Sequence, residues 1–403
     1  MGALDGIRVL DLSRVLAGPF CGQLLADNGA DVIKVEAPGG DMNRAFPQVL
    51  GPGESTNFTG VNRGKRDLTL DLKHPEGREI VHRLAGQSDV VIQSFLPDIA
   101  RRLEVDFETL AALNPDLVYA SISGYGARGE LANKAGYDLM VSAYGGIMSL
   151  TGEPERPPVR VGVTLIDLGT GMLCYGGIVT ALQARATGKA RGQRVDVSLL
   201  ETAITFLGFH AVSYLATGQV DGREGSGYTT LAPYRSYRTA DRDIMLGAPT
   251  ARAWANLKEA LGNPAALDDE RFATNPLRCR HQDALREAIE RVLAGHPASF
   301  WLPKLETAGL PCAPINTIDR VMTDPQVLAN DMVVTSTSED GREIRLLGLP
   351  FKLGATPGRP GSAPPRPGQH NAEILDELLG YDSDGIARLE RDGVTGQGGG
   401  GEG

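Results

Sequence analysis

One carboxylate stands out by its neighbours. In Val159-Arg160-Val161-Gly162-Val163-Thr164-Leu165-Ile166-Asp167-Leu168-Gly169-Thr170-Gly171-Met172, a β-branched apolar run ends at Asp167, glycines follow, and an apolar segment continues to Ala186. That order predicts extended chain over Val159–Ile166, a tight turn, and a helix over Leu168–Ala186. Asp167 is then expected at the mouth of a helix N-terminus, where backbone N–H groups favour an anion and keep the carboxylate ionised. An ionised carboxylate among small neighbours can act as a nucleophile. The same place suits a plain helix cap. The segment by itself admits both uses.

The rest of the chemistry is sparser. The histidines, His74, His82, His210, His281, His296 and His370, sit in no nucleophile-elbow context. Cys21, Cys174, Cys279 and Cys312 lie far apart with no CxxC, so buried thiols are expected rather than zinc ligands. Lys34, Arg44, Arg63, Lys65, Arg66, Lys73, Arg101 and Arg102 concentrate in the N-terminal half. They could gather phosphates or form a solvated face. The first turn, Ser13-Arg14-Val15-Leu16-Ala17-Gly18-Pro19-Phe20, carries one glycine and a proline where a dinucleotide-cradling GxGxxG needs three glycines. A nicotinamide or flavin site is therefore disfavoured.

These groups need a scaffold, and the N-terminal half supplies a regular one. Strands are expected at Gly6–Ser13, Asp31–Glu36, Asp67–Leu72, Asp89–Phe95, Leu117–Ser123 and Arg194–Ser198. Helices are expected between them at Pro19–Asn28, Glu76–Gly86, Phe107–Leu113 and Tyr137–Leu150, with another at Leu199–Leu215. This alternation predicts an α/β fold built on a large doubly wound, Rossmann-like parallel sheet, with ligands at the carboxyl ends of its strands. A change of character near Asp221–Thr230 opens a smaller α+β domain. That domain holds a hairpin over Pro233–Ala248 and helices at Trp254–Leu261, Gln282–Ala294 and Phe300–Ala308. The expected division is 1–221 for the large α/β half, 222–323 for the small domain, 324–395 for a segment returning to the large one, and 396–403 for a disordered low-complexity tail. Within the return segment, Arg342–Leu349 reads as a strand, Ala355–Gln369 as an extended surface connection, and Asn371–Leu379 and Ser383–Asp392 as helices.

Composition bounds the function. The 403 residues carry 41% hydrophobic and 22% charged side chains, ordinary for a globular protein. A net charge of −10 disfavours nucleic acid or anionic membrane as a partner. No uninterrupted apolar run reaches about 18 residues, so no membrane span is expected. The N-terminus shows neither a secretory nor a myristoylation pattern, and a cytoplasmic location is expected.

The order and spacing of many short motifs resemble the class III CoA-transferases, the CaiB/BaiF group that includes formyl-CoA, carnitine and bile-acid enzymes. The matching segments include Leu4-Asp5-Gly6-Ile7-Arg8-Val9-Leu10-Asp11, Ala17-Gly18-Pro19 and Gly29-Ala30-Asp31-Val32-Ile33-Lys34-Val35-Glu36. Asn62-Arg63-Gly64-Lys65-Arg66, Gly136-Tyr137-Asp138, Asp167-Leu168-Gly169-Thr170-Gly171 and Gly309-Leu310-Pro311-Cys312-Ala313-Pro314 continue the series. The resemblance implies that Asp167 is the nucleophile, forming an aspartyl anhydride and then an aspartyl-CoA thioester while CoA moves to an acceptor acid. It places Val15, Ala17, Leu70, Lys73, Phe95, Arg102 and Tyr137 on coenzyme A, which is a substrate rather than a resident cofactor. No metal is implied.

The resemblance also implies an interlocked homodimer, with acyl-CoA and a small carboxylic acid as the other partners. Overall pattern points to dicarboxylate-using members and to succinyl-CoA as donor, with Arg44 and Arg235 as candidates for a distal carboxylate. Ala37 replaces an arginine of the formyl-CoA enzymes, and Gly222–Gly227 is a poor match to their mobile four-glycine loop. Both departures argue against oxalate as acceptor. The alternative is a related α-methylacyl-CoA racemase. It needs histidine where Tyr137 stands, and a phenol titrating near about 10 is a poor acid–base group at neutral pH.

Overall fold

The computed structural model describes residues 2–47, 49–51, 54–338 and 341–396. The chain divides into two compact units: unit 1 is Met1–Ile147, Val161–Ser213 and Pro325–Gly403, and unit 2 is Met148–Arg160 and Tyr214–Asp324.

Unit 1 is built on six parallel strands: β1 (Arg8–Asp11), β2 (Asp31–Glu36), β3 (Arg66–Thr69), β4 (Val90–Gln93), β5 (Val118–Ser123) and β6 (Gln193–Ser198). Their order across the sheet is β3-β2-β1-β4-β5-β6. The winding reverses between β1 and β4, so the loops leaving their carboxyl ends diverge and open a crevice. Helix α1 (Ala17–Asp27) follows β1, α2 (Pro75–Ala85) precedes β4, and the short α3 (Pro97–Arg102) follows it. Strands β1 to β5 are buried on both faces, as parallel strands between helical layers must be, while residues of the edge strand β6 alternate between half-buried and exposed. Val9, Val32, Val90, Ile92 and Ala120 pack with α1 on one side; Leu10, Ile33, Leu68, Val91 and Tyr119 pack with α2 on the other.

The long helix α4 (Leu165–Ala186) lies along α1. Gly171 permits the approach, because a Cβ there would stand 2.6 Å from the Ala17 carbonyl oxygen. This helix corrects two expectations. Val159–Thr164 forms no strand, and the helix begins at Leu165, so Asp167 sits inside its first turn rather than ahead of it. At 22 residues with mean hydropathy 1.5, α4 is also long and apolar enough to cross a membrane, although no single apolar run of that length is present. Its buried face, including Ile166, Cys174, Ile178 and Ala181, belongs to the core of unit 1. The expected helices Tyr137–Leu150 and Leu199–Leu215 are each broken at glycine. Gly146 and Gly208 take positive φ, leaving α5 (Asp138–Tyr144) and a separate Ile147–Leu150 turn, then α6 (Leu199–Leu207) and Phe209–Thr217.

Unit 2 carries the antiparallel hairpin β7 (Tyr234–Arg238) and β8 (Asp243–Gly247), extended by β9 (Cys312–Pro314) on the other edge of β8. Helices Ala251–Ala260, Gln282–Leu293 and Ala298–Thr307 cover a core of Tyr237, Ile244, Trp254, Phe272, Ile289 and Trp301. The unit is larger than the expected 222–323. The Gly225 N–H donates to the Gly152 carbonyl at 2.9 Å, and the Arg223 guanidinium donates to the carbonyls of Glu153, Pro154 and Arg156. Those bonds hold 148–160 in this unit.

The segment Ala355–Gln369 is irregular but is not a free surface connection. Gly64 N–H donates to Ser362 O, Gly361 N–H to Asp27 Oδ1, and Arg44 to Pro365 O, while Ala363 and Pro365 are buried. Beyond it lie α7 (Asn371–Leu379) and a final helix at Ser383–Arg391. The tail expected to be disordered lies, after Gly396, outside the described residues.

Candidate active site

Two adjoining cavities open at the reversal of the winding, both lined only by residues of unit 1. The first, of about 470 Å³, is lined by Leu70, Lys73, Phe95 and Arg102 together with Arg14, Lys34, Ala37, Asp41 and Met42. The second, of about 250 Å³, is lined by Val15, Ala17, Phe95, Tyr137 and Asp167, with Gly124 and Gly136 in its wall. Arg14, Met42, Phe95 and Ile99 belong to both linings, so the two form one groove. The structure thus brings all eight sequence-derived site residues to a single groove, although they come from five separate stretches of chain. Arg14, whose guanidinium lies 5.3 Å from the Phe95 ring centre, was missed by sequence reasoning. Its position in the first turn was the available signal.

The cationic residues sort differently from either expectation. Lys34 pairs with Asp41 at 3.2 Å, Arg44 with Glu36 at 2.6 Å, Arg63 with Asp27 at 2.7 Å and Lys65 with Asp11 at 2.8 Å, and all eight side chains are buried. They form no solvated face, and each is already paired with a carboxylate. Burial without a counter-charge would be prohibitive, and each is matched inside the fold. Burial opposes ionisation of Glu36, yet the Arg44 hydrogen bond prevails and holds it down to about 2. Arg66 pairs with Asp31, Glu373 and Glu377, and Arg101 with Asp98. Lys73 and Arg102 remain exposed on the groove with no salt bridge among the described residues. Arg44, offered above for a distal carboxylate, is committed to Glu36 and lies outside both linings; Arg235 is on β7 of unit 2.

Asp167 is half-buried in the first turn of α4. The N-cap residue Thr164 offers no side-chain cap. Instead, Asp138 Oδ2 accepts the N–H groups of Ile166 at 2.9 Å and Asp167 at 3.2 Å. The helix-terminal donors expected to hold Asp167 ionised are therefore taken by a second carboxylate. Burial, and then the charge of Asp138, push Asp167 up to about 7. A carboxylate of that basicity is a stronger nucleophile than an ordinary one, and near neutral pH it exists in both forms. Tyr137, next to Asp138, is exposed at the lip. Helix α1 begins in the same cavity wall, and no side chain caps its first turn at Leu16.

The arrangement therefore offers a long groove with cations at one end and a basic carboxylate at the other. Among the described residues no group of three or more His, Cys, Asp or Glu side chains could hold a metal ion.

The sequence profile of CoA-transferase family III matches residues 4–371. The succinate–glutarate CoA-transferase of Agrobacterium fabrum is 39% identical, over 93% of this chain and 95% of that protein. The succinyl-CoA–D-citramalate CoA-transferase of Chloroflexus aurantiacus is 36% identical, over 96% of each. A crystal structure of a CaiB/BaiF family protein from Brucella suis superposes with a TM-score of 0.86 at 37% identity, covering 94% of this chain and 99% of that one. With fold, length and sequence in agreement, the chain belongs to CoA-transferase family III, the CaiB/BaiF family.

Proposed function

We propose that the groove takes an acyl-CoA, that Asp167 is the nucleophile, and that CoA passes from succinyl-CoA to a second dicarboxylic acid. The observation that carries this reading is the position of Asp167, a half-buried carboxylate raised to about 7, at one end of a groove whose other end presents Lys73 and Arg102.

In this reading the nucleotide lies in the first cavity, its phosphates against Lys73 and Arg102 and its adenine against Leu70, and the pantetheine chain passes Phe95 into the second cavity, where Val15 and Ala17 line the wall beside Asp167. An Asp167 oxygen attacks the thioester carbonyl, and the C–S bond breaks to release CoA thiolate and leave a mixed anhydride. The thiolate attacks the Asp167 carbonyl of that anhydride, expelling the donor acid and forming aspartyl-CoA thioester. The acceptor carboxylate then attacks this thioester, releasing thiolate once more. Attack of the thiolate on the acceptor's carbonyl gives the new acyl-CoA and restores Asp167. The uncapped first turn of α1, at Ala17 and Gly18 in the same cavity wall, offers N–H donors for the developing oxyanions. The choice of succinyl-CoA and a dicarboxylate follows the names of the relatives.

A homodimer belongs to the same reading. Unit 1 leaves Met140, Tyr144, Met172, Ile204 and Phe209 between 48% and 63% exposed, an apolar surface that a second copy would cover. Light scattering should give twice the chain mass.

The decisive experiment is peptide mass spectrometry after incubation with succinyl-CoA and then hydroxylamine. A hydroxamate on Asp167 is expected. Asp167→Ala should abolish transfer while CoA still binds. Retained turnover in that variant would remove Asp167 from its role.

A further inference from the structure

Four described residues other than glycine hold a positive φ: Val15, Glu104, Asn263 and Asp331. Val15, at φ 69°, is the β-branched one, and its side chain crowds the backbone most in that region. It also lines the cavity that holds Asp167. Backbone strain of this kind persists only where neighbouring structure imposes it.

The neighbours impose it through hydrogen bonds on both sides of Val15. The Val15 N–H donates to Asp41 Oδ2 at 3.1 Å, and Asn43 Nδ2 donates to the Val15 carbonyl at 2.6 Å. Both peptide groups flanking the strained residue are thus tied. Asp41 is itself fixed, because Oδ2 also accepts Lys34 Nζ at 3.2 Å and Oδ1 accepts the Asn43 N–H at 3.0 Å. Lys34 Nζ reaches the turn as well, donating to the Ser13 carbonyl at 3.0 Å. Lys34, Asp41 and Asn43 are buried, and Asp41 and Asn43 come from the segment after β2, not from the turn they hold.

We propose that Lys34, Asp41 and Asn43 are positioning residues that clamp the Leu12–Leu16 turn in a left-handed bend at Val15, so that acyl-CoA meets a preformed wall. The inference rests on the reading of the groove as the acyl-CoA site. Glycine would take the same bend without strain but would leave the turn free to move. Valine held by a clamp presents one rigid apolar surface. The benefit is affinity, since a turn already in its bound shape loses no freedom on binding.

The test is a double-mutant cycle read by calorimetric CoA binding and by KM against kcat. Asn43→Ala removes the donor to the Val15 carbonyl and should weaken CoA binding and raise KM about tenfold, with kcat changed less than about threefold. Val15→Gly alone should weaken binding by about threefold. Val15→Gly in the Asn43→Ala background should recover most of the loss, because glycine keeps the bend without the clamp. Asp41→Ala, which removes the acceptor of the Val15 N–H, provides a second arm whose loss Val15→Gly should rescue in part. Additive losses, or unchanged affinity in Asn43→Ala, would overturn the clamp. A wild-type protein that binds no CoA would overturn the groove reading, and the clamp with it.

Discussion

Asp138 and Asp167 are joined through the backbone: the carboxylate of one accepts the N–H of the other at 3.2 Å, and that of Ile166 at 2.9 Å. The bond does two things at once. It starts the helix in place of a conventional cap, and it sets a negative charge beside the carboxylate whose basicity it raises. Asp138→Asn separates them, because the amide oxygen still accepts the N–H groups while the charge is gone. The acid limb of the kcat/KM profile, expected near pH 7, should move lower by roughly half to one pH unit. An unmoved limb would mean that burial alone sets the basicity of Asp167.

Asp167 should also cost the fold stability. Its native value, about 7, lies above the ordinary 3.8, so the penalty is absent below pH 3.8, grows as pH rises between those values, and is complete above 7. Its upper bound is about 4 kcal/mol at 1.4 kcal/mol per pH unit, and partial exposure reduces it. Asp167→Asn should accordingly raise the urea midpoint at pH 8 by a gain of about 1–4 kcal/mol, and leave it unchanged near pH 3.5. Equal gains at both pH values would trace the effect to packing instead of charge.

The scaffold was largely legible and the electrostatics were not. Alternating strand and helix signals gave β2 and Phe107–Leu113 residue for residue, because each is bounded by turn-forming or capping residues and filled with apolar ones. The valine-rich run before Asp167 misled, since β-branched composition says nothing about whether a neighbouring strand is there to pair with it. The strand order β3-β2-β1-β4-β5-β6 is the doubly wound order of dinucleotide-binding folds, although the first turn carries one glycine where their motif carries three. Lys34, Arg44, Arg63 and Lys65 looked like a surface cluster, because a sequence shows a cation but not the aspartate or glutamate folded against it from 7 to 54 residues away. The partner of Asp167 was missed for the same reason. Asp138 lies 29 residues earlier, in a motif read for its tyrosine.

Arg102 and Lys73, like Arg14, are exposed cations of the groove, and the contribution of the first two should be uniform through the reaction. Arg102→Ala is expected to raise KM for acyl-CoA about 10- to 100-fold with kcat nearly unchanged, the cost of one charge-assisted contact. Added salt should weaken wild-type binding more than that of the variant, since one ionic contact is already missing. A fall in kcat at constant KM would place Arg102 nearer the reacting atoms than the groove suggests.

The Asp11–Lys65 pair tests whether the buried ions hold the scaffold. Lys65 Nζ reaches Asp11 at 2.8 Å, Asn62 at 2.9 Å and the Pro19 carbonyl at 2.8 Å, linking β1, α1 and the turn before β3. Burial opposes the charge on Asp11, but Lys65 and then Lys34 outweigh it and hold the carboxyl below its ordinary value. Its stabilisation is therefore present above pH 3.8 and lost as pH falls through the lower native value. Lys65→Met strands that charge and should cost roughly 3–5 kcal/mol at pH 7, read from urea midpoints. Asp11→Asn added to Lys65→Met removes the stranded charge while leaving an acceptor for the Ser13 N–H, and should recover a large part of the loss. If the double variant is as unstable as the sum of the singles, packing around the lysine stem, and not the stranded charge, is what the substitution destroys.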